Sequence, residues 1–230
     1  MKWLYLIIGI QLGLLSAALV NPEWAAAFVA LFLGLAGIFE LENRIFRPKL
    51  KIFIKMSPPD CHPIDMKDGQ GKISASVYYL RFRIENVGKK EAKDVQVMMT
   101  RLEEFNGQNF VMKDSFLPLN LTWSNIGGYS VQSIPTHTFR HCDFGYITEG
   151  SHMNMILSSF GLKSNGFKAI LKTDTIVQPN TGSHIIFPGK YKLWVNVSAS
   201  NADTIEKVFE INFDNRFDLI TKNFIHVGVV

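Results

Sequence analysis

Cysteine is nearly missing from this chain: Cys61 and Cys142 are the only two in 230 residues, too few for a disulfide framework. Catalytic and nucleotide-binding signatures are missing too. No P-loop, Rossmann glycine motif, GxSxG or HExxH occurs, so the phosphate cradles, nucleophile elbows and helical zinc pairs those patterns build have no support. Charge of one sign is not in excess: 24 Lys and Arg oppose 20 Asp and Glu, a net charge of +4. A nucleic-acid partner needs cations clustered on one face, and none is expected here. Beyond residue 49 no amphipathic helical period is readable.

What the sequence does have is a sharp contrast between its first forty residues and the rest. Trp3–Val20 and Ala25–Phe39 carry no charged residue. As helices rising about 1.5 Å per residue, the first run and Trp24–Phe39 extend about 27 and 24 Å, close to the apolar thickness of a bilayer. The expectation is an N-terminal transmembrane α-helical hairpin in residues 1–47, with helices of about 3–20 and 24–47. It would turn at "NPEW" (21–24), where Pro22 breaks the helix. A cleaved signal peptide, with "SAAL" (16–19) as its small-residue cleavage site, is the alternative.

The flanks set an orientation. The turn carries Glu23 and no cation, whereas Arg44, Arg47, Lys49, Lys51 and Lys55 follow the second run. Basic flanks stay cytoplasmic. The hairpin therefore predicts a bacterial inner-membrane protein with both termini in the cytoplasm, and places Arg44, Arg47, Lys49 and Lys51 against lipid headgroups. Gly9, Gly13 and Ala17, and again Ala26, Ala30 and Gly34, recur at four-residue spacing, the small-residue stripe on which membrane helices pack. Gln11 points to roughly the opposite face. It predicts a polar contact between copies of the chain, and so a homo-oligomer.

Residues 48–230 read as an all-β immunoglobulin-like sandwich of seven to nine short strands. In "SVYYLRFRIENVGKKEAKDVQVMMTRL" (76–102), Tyr78, Leu80, Phe82 and Ile84 alternate with Tyr79, Arg81 and Arg83, and Val95, Val97 and Met99 line the next strand. Leu50, Ile52, Ile54 and Met56 predict an earlier strand. Further strands fall at 110–112, 120–123, 138–142, 167–173, 191–199 and 204–213. Trp123 and Trp194, both on predicted strands, read as core. The 20-residue stretch Ile147–Gly166 fits this pattern least well. Its Met153, Met155, Ile156, Leu157, Phe160 and Leu162 make either a short helix over the sandwich edge or an exposed recognition loop.

"FRIENVGKKEAKDVQV" resembles the strand–loop–strand signature of CARDB-like and related bacterial immunoglobulin-like domains. The matching positions are Asn86, Gly88, Ala92, Val95 and Val97, and "FPGKYKLWVNVSASNA" (187–202) resembles their late strand. The resemblance covers about a third of the chain. It implies a β-sandwich used in adhesion, scaffolding or recognition.

"DCHP" (60–63) and "RHCD" (140–143) are the weak metal candidates, through Cys61, His62, His141 and Cys142. Adjacent residues of a strand point to opposite faces, so His141 and Cys142 do not ligate together from a regular strand. Neither cluster has zinc-module spacing. No metal, cofactor or catalytic residue is expected. A Cys–His nucleophile pair lacks a readable orienting group. The functional expectation is a membrane-anchored, non-enzymatic cytoplasmic interaction or sensing module, with membrane lipids and an unidentified protein as partners. The alternative is a small oligomeric membrane effector of a bacterial stress or defence system, pore-forming or membrane-perturbing, triggered through the sandwich.

Overall fold

The computed structural model describes residues 13, 26, 29–31, 33–34, 37, 46–218 and 225–229. The chain divides into two compact units, Met1–Arg47 and Pro48–Val230.

In the first unit Gly13, Ala26, Ala30 and Gly34 are helical and exposed, while Gly9, Gln11, Ala17 and Arg44 lie outside the described residues. Among the described residues no helix is long and apolar enough to cross a membrane. This finding overturns the expected transmembrane hairpin, and with it the inner-membrane localisation and the two-pass topology with cytoplasmic termini. The physical reason is that an uncharged run satisfies only one condition for a span. The other is a continuous helix of about 20 residues that satisfies its own backbone hydrogen bonds, and no described helix reaches that length.

The second unit is built from two seven-stranded antiparallel sheets arranged as sandwich-like layers. The first holds β1 (Leu50–Phe53), β2 (Cys61–Lys67), β3 (Ile73–Asn86), β7 (Thr122–Trp123), β9 (Thr138–Glu149), β10 (Ala169–Thr173) and β11 (Ile185–Ile186). The second holds β4 (Ala92–Phe105), β5 (Phe110–Met112), β6 (Leu119–Asn120), β8 (Ser130–Ile134), β12 (Gly189–Ala199), β13 (Ala202–Phe213) and β14 (Ile225–Val229). The two 14-residue strands β3 and β4 organise the layers. One edge of β3 takes β1 and then β2, and its other edge takes β9. Similarly, β4 pairs with β12 on one side, while β5, β6 and β8 share the other.

The alternation in the sequence sets which face is buried. On β3, Tyr78, Leu80, Phe82 and Ile84 are 1%, 0%, 0% and 0% exposed, because every second side chain points into the layer interface. Phe82 bridges the sheets, its ring 4.9 Å from Phe144 and 4.8 Å from Phe209. The turn that leaves β3 hangs on one side chain. Buried Asn86 accepts from Lys49 N (3.2 Å) and Gly88 N (3.0 Å) and donates to Lys90 O (2.8 Å) and Ile134 O (3.0 Å). All the hydrogen-bonding capacity of a buried amide is thereby met.

Elsewhere the structure departs from the sequence reading. The strand from Leu50 stops at Phe53; Ile54 and Met56 pack on the core without continuing the ladder. Trp123 is core, but Trp194 lies on the outer face of its sheet, stacked under the Arg101 guanidinium at 4.7 Å. In the 147–166 stretch the first three residues finish β9, and helix α1 spans Gly150–Ser159. Its Met153, Ile156 and Leu157 bury against Ile170 and Ile185, with Phe160 and Leu162 packed alongside. Met155 faces solvent.

Candidate functional site

Strand parity separates the four metal candidates. Cys61 and Cys142 point inward and are part of the core. Cys61 is opposite Leu80 and Cys142 opposite Phe82, on the two edges of β3. Two strand spacings, about 10 Å, lie between them, beyond the reach of a disulfide, and both thiols are free. Burial pushes the Cys61 thiol up to about 12 and the Cys142 thiol well above its ordinary value. Neither has the thiolate character a nucleophile requires. His141 lies instead on the outer face with Asp60. Among the described residues no group of three or more His, Cys, Asp or Glu is placed to hold a metal ion. Of the residues expected against lipid headgroups, Lys49 and Lys51 are exposed and Arg47 is half-buried.

The outer face of the first sheet holds two polar networks that the sequence did not announce. Asp60, on the loop entering β2, is 0% exposed. Its Oδ1 accepts from Arg83 at 2.8 Å and lies 3.0 Å from His141 Nε2, and its Oδ2 accepts from Lys55 N at 3.2 Å. Burial pushes this carboxyl up, but the His141, Arg83 and Lys55 hydrogen bonds outweigh burial and hold it below the ordinary carboxylate value. Arg83 is also capped by the Phe139 ring, 4.3 Å from its guanidinium carbon.

The second network centres on Asp143 and Asp174. Ser124 Oγ donates to Asp143, and Tyr79 OH donates to Asp174 Oδ2 at 3.2 Å. Burial, with the Asp174 charge adding to it, lifts Asp143 to about 6 against the hydrogen bond from Ser124. A buried carboxylate raised beside a second one is a pattern used in general acid–base catalysis. Here, however, the grooves lined by Leu50 and Ile205, by Ser76 and His152, and by Leu119 and Val177 contain neither carboxylate. A stack of Tyr79 on Tyr146 and Tyr146 on His152 closes the face above β9. The carboxylates of both networks are hydrogen-bonded within the chain and fix the loops to the sheet, while Arg83 Nε is buried without a partner.

The open feature is at the other side of the sandwich. β14 pairs with Phe209–Phe213 of β13. Ile205–Lys207 are bonded to β12 on one edge and, among the described residues, to no strand on the other. Opposite them runs β1, leaving a groove of about 530 Å³ lined by Leu50–Phe53, Lys51 included, by Ile205–Lys207 and by Val229. The floor is apolar, since Leu50 and Ile52 are 6% and 4% exposed and belong to the core. Lys207 stands out chemically. It shares the inward face with its cross-strand partner Val195, which is fully buried, yet Lys207 is exposed. It has no ion-pair partner among the described residues.

Sequence reasoning missed this groove because its signal is an interruption. In "DTIEKVF" (203–209), the inward positions 205, 207 and 209 read Ile, Lys, Phe, and an inward cation on an apolar face marks an uncovered edge. No protein-family model matches this chain and no curated protein matches it.

Proposed function

We propose that residues 48–230 form a non-enzymatic interaction module that recognises a polypeptide partner in the groove between β1 and β13. The observation that carries this reading is the edge of β13, half occupied among the described residues, beside an apolar floor. Unpaired backbone groups next to apolar surface are the combination that peptide-recognition edges use, and an edge with no partner is one that natural sheets otherwise blunt or cover. The buried thiols with raised pKa and the internally compensated carboxylates support a binding role over catalysis.

The test is selection of a random decapeptide display library on the full chain, with the same selection on Ile205→Thr. That substitution keeps a β-branched side chain but removes apolar surface from the groove. A set of related sequences enriched on the parent and lost on the variant, with both melting alike, is the expected result. No enrichment, or enrichment indifferent to Ile205→Thr, overturns the proposal.

A further inference from the structure

Resting on that reading of the groove, the geometry points to a specific occupant: an extended segment that adds to β13 as an antiparallel strand and presents, in N-to-C order, an acidic, a basic and an apolar residue.

The strand form follows from the edge itself. β14 already occupies the neighbouring half of the same edge as an extended antiparallel segment, with Val229 opposite Phe209. Its Ile225 and Val227 are buried inward, and His226 is exposed on the other face. Beyond Val229 the edge runs on through Val208, Lys207, Glu206 and Ile205, so an added strand continues the line that β14 begins. Every named ladder in both sheets is antiparallel, and antiparallel pairing is slightly the more stable per residue.

The side-chain pattern follows from cross-strand pairing. Residues directly opposite in an antiparallel pair share a face, and opposite charges there attract while like charges repel. The occupant residue facing Lys207 points inward over the groove, where an acidic side chain meets an exposed cation that no described residue pairs. The next residue faces Glu206 on the outer side, where a basic side chain fits; Glu206 likewise has no ion-pair partner among the described residues. The third faces Ile205 and turns inward again, onto the floor made by Leu50, Ile52 and Ile205. Because β13 runs from 205 to 207, an antiparallel occupant meets these positions in reverse order. Lys207 thus has two effects: it opposes apolar strands that would otherwise aggregate on this edge, and it selects for a carboxylate.

The probe is a synthetic decapeptide from the selection above, titrated by fluorescence polarisation against the full chain. Methylating the backbone nitrogen at alternate positions should weaken binding about tenfold at edge-facing positions and little at those between, since each removes one main-chain hydrogen bond. Replacing the acidic residue by Lys should weaken binding about threefold or more, and Lys207→Glu in the protein should reverse that preference. Binding that tolerates methylation at every position overturns strand addition. A charge preference that Lys207→Glu leaves unchanged overturns the assigned register. In both cases the peptide still binds and is still lost on Ile205→Thr, so the groove remains a recognition site. Failure of the selection itself is what removes the groove.

Discussion

Asp60 and His141, 81 positions apart in sequence, meet across β3 with 3.0 Å between His141 Nε2 and Asp60 Oδ1. The same oxygen takes the Arg83 hydrogen bond at 2.8 Å. One carboxylate thus ties the β1–β2 loop to β3 and β9. Asp60→Asn should cost about 3 kcal/mol in urea unfolding, because a mostly buried guanidinium loses its anion. A loss below about 1 kcal/mol would show that the loop holds without this pairing.

Asp143 should behave in the opposite sense. Its folded pKa of about 6 exceeds the unfolded value of 3.8, so between these pH values the folded state binds more protons. Stability from this group therefore falls as pH rises through that window, and the buried carboxylate is a cost above it. Asp143→Asn retains an acceptor for Ser124 and removes the charge. It should stabilise the chain by about 2 kcal/mol at pH 7.5 and hardly at all at pH 4, as measured by melting at both values.

His184 is fully buried, edge-on to Phe160 with ring centroids 4.7 Å apart, and neither ring nitrogen has a hydrogen-bond partner. Burial, assisted by the Lys172 charge, lowers its pKa from 6.5 to about 4. The unfolded chain then binds the extra proton between those values, so stability is whole above about 6.5 and is lost as pH falls towards 4, by about 3 kcal/mol in full. Asp143 opposes this over part of the range, so the measurement belongs in an Asp143→Asn background. There, His184→Leu should flatten the dependence of unfolding free energy on pH between 4 and 6.5. An unchanged slope would mean that the ring is hydrated or paired in the folded state.

Gly145 sits where β9 approaches β10 too closely for any side chain. A Cβ there would collide with Lys172 O and stand 2.7 Å from Thr173 Cα. Both obstacles are backbone, so neither can swing aside. Gly145→Ala should destabilise by at least about 3 kcal/mol or prevent folding, read by urea unfolding beside Gly69→Ala. Gly69 lies in an open turn with nothing near its Cβ and no positive φ. Equal effects at the two sites would contradict the close approach.

Much of the sheet core was legible from period-two alternation. The alternating Tyr78–Ile84 and Val95–Met99 positions are buried where the sequence places them inward, because both flanking strands and the facing sheet enforce one register. β2 escaped notice for a physical reason: "CHPIDMK" pairs only with β3 and leaves most of its residues exposed, so no buried face writes an alternation, and Pro63 is tolerated at such an edge. The two-residue strand β11 is too short to show any period, whereas the single strand expected at 120–123 is split into β6 and β7, which join different sheets. The first forty residues misled in another way, since hydropathy reports what can be buried without reporting helix length. The polar networks were invisible because the partners of His141 and Asp143 on β9, Asp60 and Asp174 among them, come from distant segments. The parity rule did separate His141 from Cys142, as the two faces of β9 confirm.

The most direct measurement is residue-resolved amide hydrogen exchange on the full chain, with and without the selected decapeptide. Slowed exchange confined to residues 204–208 and to Leu50–Phe53 across the groove is the predicted result. Protection centred on Tyr79, Tyr146 and His152, with β13 unchanged, would place recognition on the opposite side of the sandwich and contradict the account.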